Sequence, residues 1–219
     1  MKSTAKILDF QVSQKVKKKA GGNSPSKDKG LAFGKFLTDE TMKKLSARFS
    51  EPVDERGYRD RALFLVMAST GLRAKEIVNL KFSDAVQTPH GKTAFRYTRK
   101  GGKEYYTIPS KAALEAVKAY HQAVSEESDH FFLTLPTNRL AKRQAMTTKT
   151  LRLIINAWKS KRADGLKATP HSLRHTVGQR VFEKAGSIAV QKVLGHSTPI
   201  TAQKFYTAPY FDGTDYLQW

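Results

Sequence analysis

One segment constrains the fold of this chain more than any other. Residues 58–69 carry an unbroken apolar run at 63–67 (LFLVM), and Gly71 follows shortly afterwards. A helix that is apolar all round must be buried among other elements, and glycine commonly ends a helix. We therefore expect a buried central helix that stops near Gly71, with much of the remaining chain packed around it.

Helix-start signals divide most of the remaining chain into further helices. Thr38 is followed by Asp39 and Glu40, which is typical of an N-cap and an acidic first turn. Pro170 is a residue type favoured at the first position of a helix. We expect helices from Thr38 to about Phe49, at 74–80, at 110–124, from Thr147 or Thr148 to about 162, at 171–185, at 187–194 and at 198–206.

The apolar period changes between the helices at 74–80 and 110–124. Residues 94–98 and 105–108 are rich in aromatic and β-branched side chains, which favour strands. The sequence between them, RKGGKE, contains two glycines and three basic residues and is typical of a hairpin turn. The predicted fold class is therefore mainly α with one small antiparallel β-sheet (α+β).

The chain is strongly basic. Of its 219 residues, 39 are Lys or Arg and 19 are Asp or Glu, which gives a formal net charge of +20. This charge predicts a polyanionic partner, either nucleic acid or an acidic membrane surface. The absence of cysteine excludes disulfides, thiol catalysis and cysteine-based zinc sites. No apolar run approaches the roughly 20 residues of a membrane span, and we expect a cytoplasmic protein.

Two segments carry most of the excess charge. Residues 1–30 contain eight Lys and two Asp, and residues 142–174 contain nine basic residues and one acidic residue. The first segment is also rich in Gly and Ser, and it is either a solubilising extension or a flexible arm that lies along phosphates. The second segment is either a solvated helix face or a patch that contacts the partner.

Four short motifs contain residue types that bind phosphate or transfer protons. They are TGLRAKE at 70–76 with Arg73, the hairpin with Lys100, HSLRH at 171–175, and LGH at 194–196, which Tyr206 follows. Positions 171, 174 and 175 share one face of a helix, so two histidines and an arginine converge there. The two histidines have the spacing of a metal pair, but neither an intervening Glu nor a third ligand accompanies them, and we predict no metal.

Each motif taken alone has an ordinary structural explanation. Arg73 could pair with Glu76 one turn further along its helix, and Lys100 could lie on a solvated turn. His196 could cap a helix, and Tyr206 is one of eight tyrosines. The order of the motifs carries more information than any of them singly.

That order and spacing resemble the active-site series of the tyrosine recombinase (phage integrase) family. The likeness covers about residues 38–208, and several linked motifs in one order are far more specific than a single short pattern. Tyr206 follows His196 by ten residues, one more than is usual in the family, and Tyr210 is the nearby alternative nucleophile.

The resemblance implies how the site would treat a phosphodiester. Tyr206 would attack it and form a 3′-phosphotyrosine, which preserves the bond energy and requires no cofactor. Arg73 and Arg174 would each present a planar guanidinium to the non-bridging oxygens. His196 would donate a further hydrogen bond to them.

The resemblance also implies the proton donors and the supporting residues. Lys100 would protonate the leaving 5′ oxygen, because the hairpin lysine of the family usually precedes the turn glycine, which favours Lys100 over Lys103. His171 would accept the tyrosine proton or orient the phosphate. Glu76 and His175 would hold the arginines in place.

The implied partner is double-stranded DNA with specific recombination sites, bound by a homotetramer and without membrane association. The residues expected to contact this DNA are Lys103, Lys142, Arg143, Lys149, Arg152 and Lys159. Phosphate contacts position a duplex but do not read its sequence. Two alternatives remain at this level, namely a type IB topoisomerase-like enzyme and an inactive basic DNA-binding protein.

The expected layout has three parts. Residues 1–37 form a basic flexible arm, residues 38–208 form the catalytic domain, and residues 209–219 form an aromatic tail that docks on a neighbouring subunit or folds back on its own domain. Compact domains need at least about 50 residues. The arm is therefore too short to be the separate amino-terminal DNA-binding domain usual in the family, so the chain is either a short member or part of a longer one.

Overall fold

The computed structural model describes residues 34–99, 102–125, 127–136, 142–196, 199–200 and 206. Its helices are α1 (Asp39–Arg48), α2 (Glu55–Thr70), α3 (Ala74–Val78), α4 (Lys111–Val124), α5 (Thr148–Ala157) and α6 (Pro170–Leu194), with a 3-10 turn at Phe82–Asp84. Strands β1 (Ala85–Gln87), β2 (Thr93–Thr98) and β3 (Glu104–Thr107) form an antiparallel sheet in the order β1-β2-β3. The predicted α+β class is confirmed.

Side-chain caps fix where the helices begin. Thr38 Oγ1 accepts a hydrogen bond from the backbone N–H of Thr41 at 3.2 Å. Each such cap satisfies an N–H group that the first helical turn leaves without a partner. The helix starts predicted from Thr38 and Pro170 are confirmed. Equivalent caps begin the later helices at Ser110, Thr147 and Thr169.

α2 is the buried central helix that its apolar run predicts. Leu63, Val66 and Met67 are buried, and the helix packs against both α4 and α6. It ends at Gly71, which has a left-handed φ of 62° and whose N–H donates to the Met67 carbonyl at 3.0 Å. The predicted stop is confirmed, and it places the next residues at the meeting point of three helices.

The sheet joins the main core through β2. Phe95 and Tyr97 of this strand are buried and lie opposite Thr107 and Tyr105 of β3. The Phe95 ring meets the Phe131 ring edge-on at 4.9 Å. The two predicted strands are confirmed. β1 was not predicted, because all three of its residues are exposed and show no alternation.

The predicted extent of the fifth helix is wrong at its C-terminal end. α5 stops at Ala157, short of the expected end near residue 162. Trp158 turns into the core, where its indole Nε1 donates to Asp60 Oδ2 at 3.0 Å. Lys159 then adopts a left-handed φ of 53°, which no α-helix of L-residues continues. The tertiary contact of the tryptophan therefore ends the helix early.

α6 breaks at Gly186, where φ is 73° and ψ is −175°. Val177 before the break and Val190 and Leu194 after it lie in one small buried cluster. In a straight helix Val177 and Leu194 would be about 25 Å apart, at 1.5 Å per residue. The break therefore turns the second piece back on the first, and the two separate helices predicted here are confirmed.

Of the helix predicted at 198–206, only residues 199, 200 and 206 are described, and they are helical. The basic segment at 1–30 and the hairpin tip at 100–101 lie outside the described residues. Within the described ranges, no helix combines the length and the apolar character needed to cross a membrane.

Candidate active site

The site forms where the end of α2 meets α6. A Cβ added to Gly71 would lie 2.6 Å from Leu194 Cδ2 and 3.0 Å from Val177 Cγ1. Only a residue without a side chain permits this approach together with the left-handed backbone. The Gly71 carbonyl accepts a hydrogen bond from Arg174 Nη1 at 2.7 Å. The glycine that ends α2 thus also holds a predicted catalytic side chain.

Arg174 is almost completely buried, with only 4% of the residue exposed. Its Nη2 donates to the Leu194 carbonyl at 2.7 Å, in addition to its bond with Gly71. Burial and then the nearby charge of Arg73 lower the pKa of Arg174 to about 10, so the group stays charged at neutral pH. It is a fixed cation that two backbone carbonyls orient.

The Glu76 carboxylate faces three guanidinium groups among the described residues. Its Oε1 lies 3.0 Å from Arg73 Nη1 and 3.2 Å from Arg99 Nε, and its Oε2 lies 3.9 Å from Arg174 Nη1. Oε2 also accepts the backbone N–H of Arg73 at 2.7 Å, at the start of α3. A buried carboxylate needs such partners. In return, it allows three like charges to lie close together.

Arg73 differs from the other two arginines in its exposure. Its side chain is 44% exposed, whereas the side chains of Arg99 and Arg174 are 7% and 4% exposed. A guanidinium has five N–H donors, and the contact with Glu76 occupies only part of this set. The remaining donors of Arg73 are available to an anionic ligand.

No motif in the sequence marks Arg99, which also belongs to this cluster. Its guanidinium donates to the carbonyls of Leu194, at 2.5 Å, and of Gly195. It also donates to the Tyr97 hydroxyl at 2.8 Å and lies over the Tyr105 ring at 4.3 Å. The two carbonyls come 95 and 96 residues later in the chain, so no local spacing reveals the contact. The only sequence signal is the concentration of basic residues in the hairpin.

His171 and His175 lie one turn apart on α6, with ring centroids 5.0 Å apart. Burial, followed by the charge of His171, lowers the pKa of His175 to about 4. The pKa of the more exposed His171 is also lowered, first by partial desolvation and then by Arg174. Both rings are therefore neutral at pH 7, and of the two the more exposed His171 is the candidate to accept a proton. In the described part of the chain, no three potential metal ligands come together.

His196 follows the C-terminal end of α6. Its backbone N–H donates to the Gln191 carbonyl at 3.1 Å, and its ring is stacked on Tyr206 with centroids 6.4 Å apart and an interplanar angle of 11°. Burial and then the charge of Arg174 lower the pKa of His196 to about 4. Its Nδ1 is buried and makes no hydrogen bond to any described residue. The imidazole is therefore neutral and can donate a hydrogen bond without adding charge.

The Tyr206 phenol is buried beside these histidines, with 4% of the residue exposed. Its ring lies 5.9 Å from that of His175. Its hydroxyl lies against Gly178 of α6, where an added Cβ would collide with the oxygen. Burial raises the pKa of Tyr206 to about 12, against the opposing effect of Arg174. The phenol is therefore protonated at neutral pH.

The structure brings most of the predicted site residues together, and one lies outside the described residues. The residues that meet around the junction of α2, α3 and α6 are Arg73, Glu76, His171, Arg174, His175, His196 and Tyr206. Lys100 is the predicted site residue that falls outside the description. The cluster can offer cations, neutral hydrogen-bond donors and proton acceptors to a single anionic group.

The residues predicted to contact DNA divide into two groups. The exposed ones are Lys103, Lys142, Lys149, Arg152 and Lys159. Arg143 instead forms a bidentate pair with Glu55, in which Nη2 donates to Oε2 at 2.8 Å, and its side chain is only 12% exposed. Because this carboxylate already matches its charge, the structure favours an internal role for Arg143 over a contact with phosphate.

Comparison with known proteins places this site in a family. The sequence model of the phage integrase family matches residues 35–212. The chain belongs to this family. It is 33% identical over 171 residues to tyrosine recombinase XerA of Pyrococcus furiosus, which covers 77% of this chain and 56% of that relative. It is 31% identical over 172 residues to tyrosine recombinase XerC of Leptospira interrogans, covering 77% and 52% respectively.

Solved structures support the same fold. The crystal structure of XerA recombinase matches with a TM-score of 0.59 and 26% identity, over 79% of this chain and 60% of that one. The XerH site-specific recombinase bound to palindromic difH substrate matches with a TM-score of 0.58 and 23% identity, over 78% and 48%, and it is similar in fold alone. The chain spans little more than half the length of the curated relatives it matches.

Proposed function

We propose that this chain is the catalytic part of a site-specific DNA recombinase that cuts and rejoins DNA through Tyr206. The observation that carries the proposal is the position of a tyrosine ring against two imidazoles and a buried arginine, in a chain of the phage integrase family. The phenol oxygen would form a bond to phosphorus while the bond from phosphorus to the 5′ oxygen breaks. The products are a 3′-phosphotyrosine and a free 5′-hydroxyl.

The arginines would stabilise the charge that develops on the phosphate. Arg174 is held rigid by two carbonyls, and Arg73 is exposed enough to be reached by a DNA backbone. Donors fixed in place before the reaction are typically worth about 3 kcal/mol each when they meet charge that appears only in the transition state. The neutral His196 ring would add a hydrogen bond to the same oxygens.

Two proton transfers must accompany this step. The phenol proton of Tyr206 would pass to a neutral histidine, and His171 is the exposed candidate. The departing 5′ oxygen would take a proton from Lys100, a role that rests on the family resemblance. Because Tyr206 is buried, DNA must expose its hydroxyl before attack.

The same proposal assigns the partners. Double-stranded DNA with a recombination site would lie across the exposed cations, namely Lys103, Lys142, Lys149, Arg152 and Lys159. Four protomers would join two such sites, with the tail at 209–219 docking on a neighbouring subunit. Acting in this way, the protein would be associated with cellular DNA.

The decisive experiment traps the covalent intermediate. Genomic fragments that the protein retains are given single nicks at random positions. Where a nick lies just 3′ of the cleavage point, the short piece with the free 5′-hydroxyl diffuses away and religation fails. We expect a protein–DNA adduct on a denaturing gel with the wild type and none with Tyr206→Phe, because the phenol oxygen is the attacking atom. Tyr210→Phe is the matched control and should keep the adduct.

Two outcomes would contradict the proposal. An adduct that survives in Tyr206→Phe and disappears in Tyr210→Phe would show that Tyr210 is the nucleophile. The absence of any adduct on every retained fragment would leave a DNA-binding protein without strand-cleaving activity. Where the adduct forms, sequencing the adducted ends gives the site and the polarity of cleavage together.

A further inference from the structure

We propose that Arg99 is a positioning residue that holds the turn after α6, and through it His196, in the geometry needed for cleavage. The inference rests on the function proposed above. Arg99 itself has no access to DNA, because its side chain is 7% exposed. It would therefore act through the backbone that precedes the histidine.

The contacts of Arg99 converge on the last carbonyls of α6. Its Nη2 donates to the Leu194 carbonyl at 2.5 Å, and its Nη1 donates to the Gly195 carbonyl. Helix C-terminal carbonyls lack partners within the helix, and a cation there also complements the helix dipole. The residue that follows these two carbonyls is His196. The guanidinium thus fixes the two peptide units that lead into the catalytic imidazole.

Gly195 is shaped for this contact. Its φ is 55°, the left-handed conformation of a helix C-cap, and a Cβ added there would collide with the Arg99 guanidinium. Both the backbone conformation and the space are therefore available only to glycine. The close approach of Arg99 is consequently part of how the turn is built.

Arg99 shares its partners with the catalytic arginine. The Leu194 carbonyl accepts from both Arg99 Nη2, at 2.5 Å, and Arg174 Nη2, at 2.7 Å. Both side chains also face Glu76. The two guanidinium groups therefore share one carbonyl and one carboxylate, but Arg174 also has its own bond to the Gly71 carbonyl, so the loss of Arg99 should act mainly through the turn before His196.

The sheet holds Arg99 from the other side. The guanidinium carbon lies 4.3 Å from the Tyr105 ring centroid and 5.2 Å from that of Tyr97. The backbone N–H of Arg99 donates to the Lys103 carbonyl at 3.0 Å, at the base of the hairpin. Arg99 therefore connects the β2–β3 hairpin to the end of α6. A lysine lacks the planar fork that can bond two carbonyls and lie on a ring at once.

The test is a double-mutant cycle on single-turnover cleavage. Residues that orient a catalytic group typically change activity by about 10- to 100-fold. We expect a fall of that size in the cleavage rate for Arg99→Gln and a smaller fall for Arg99→Lys. Neither variant should change the affinity for DNA. In a His196→Ala background, Arg99→Gln should lower the cleavage rate little further, because the imidazole that Arg99 positions is absent. If the double variant instead loses the product of the two single-variant factors, the inference is overturned.

Two controls separate positioning from general damage. Arg96→Gln alters an exposed arginine of the same hairpin, whose side chain is 48% exposed, and should leave the rate unchanged. Thermal unfolding of each variant checks the fold. Should Arg99→Gln not fold, Arg99→Lys keeps the positive charge beside Glu76 and completes the same cycle.

A modified substrate tests whether Arg99 acts on the hairpin instead. With sulfur in place of the bridging 5′ oxygen, the leaving group departs without a proton and returns poorly, so even slow variants accumulate adduct. We expect the Arg99→Gln defect to persist on this substrate. If the rate defect of Arg99→Gln disappears on this substrate, Arg99 acts by supporting proton donation from the hairpin, and the inference is overturned. A wild type without adduct would instead contradict the proposed function itself.

Discussion

His175 is the most deeply buried of the three site histidines, and its pKa of about 4 makes the folded chain sensitive to acid. The unfolded histidine takes up a proton near its ordinary pKa of 6.5, whereas the folded one resists it. Between these values the unfolded state binds more protons, so stability falls as pH falls. At pH 5 His175 alone should cost about 2 kcal/mol of unfolding free energy.

Urea unfolding at pH 7 and at pH 5 measures this loss. His175→Gln should lose less stability than the wild type over the interval, while the other histidines contribute equally to both proteins. His90→Gln, at an exposed position before β2, is the control and should behave like the wild type. Equal losses in wild type and His175→Gln would show that the buried ring does not resist protonation.

The residues of the site were predictable to different degrees. Arg73, Arg174 and His196 lie in motifs whose order can be read along the chain, and the structure brings them together. Arg99 carries no such mark, because its partners are backbone carbonyls that any residue presents. No sequence motif marks Gly178 either, because its role is to leave space for the Tyr206 phenol. Local patterns therefore identify the side chains proposed to act directly, and the folded structure is needed to find the residues that position them or leave room for them.

The junction of α2 and α6 shows how an element boundary becomes part of the site. Gly71 has a φ of 62°, and a Cβ added there would lie 2.6 Å from Leu194 and 3.0 Å from Val177. Gly71→Ala should therefore suffer both left-handed strain and overpacking, together about 2–4 kcal/mol. Gly91→Ala is the matched control, since Gly91 has a φ of 70° but nothing within 4 Å of an added Cβ.

Urea unfolding of the two glycine variants checks this expectation. Gly91→Ala should lose only about 1–2 kcal/mol of unfolding free energy, the cost of the left-handed backbone conformation alone. The excess loss in Gly71→Ala then measures the close approach of the two helices. Similar losses in both variants would mean that the junction relaxes around the extra methyl group.

Among the elements, those with caps and a clear apolar period were predicted well. Thr38 and Gly71 bound their helices as expected. The end of α5 was missed because the side chain of Trp158 reaches Asp60, which lies 98 residues earlier. β1 was missed because its three exposed residues have no apolar face. The end of α5 was decided by a partner distant in sequence, and β1 by its pairing with β2, and local propensity shows neither.

At the scale of the whole molecule, the net charge of +20 predicts that the affinity for DNA falls as the salt concentration rises. Each phosphate contact releases counterions, so log K falls as log[salt] rises, and the loss of one contact reduces the magnitude of this negative slope by about 0.9. We expect Lys149→Gln and Arg152→Gln, on the exposed side of α5, each to reduce the magnitude of the slope by about this amount. Arg143→Gln should leave the slope nearly unchanged, since Glu55 already pairs with that arginine.

Binding titrations from about 0.05 to 0.2 M salt measure these slopes. Lys118→Gln, at an exposed position on α4, is the control for a simple loss of net charge. A slope that falls equally in Lys118→Gln would mean that the duplex responds to the overall field of the protein. A fall confined to the α5 variants would identify that helix as part of the surface under the DNA.

The arrangement around Glu76 has a consequence in terms of electroneutrality. Three guanidinium groups and one carboxylate leave two positive charges in excess. An intact phosphodiester carries a single negative charge, and the addition of a phenolate would bring a second to the same phosphorus. Under the proposed mechanism, the charge of these four side chains would be balanced in full by the five-coordinate species between substrate and product. Their combined charge would then match the transition state better than the substrate, which is the condition for accelerating a reaction.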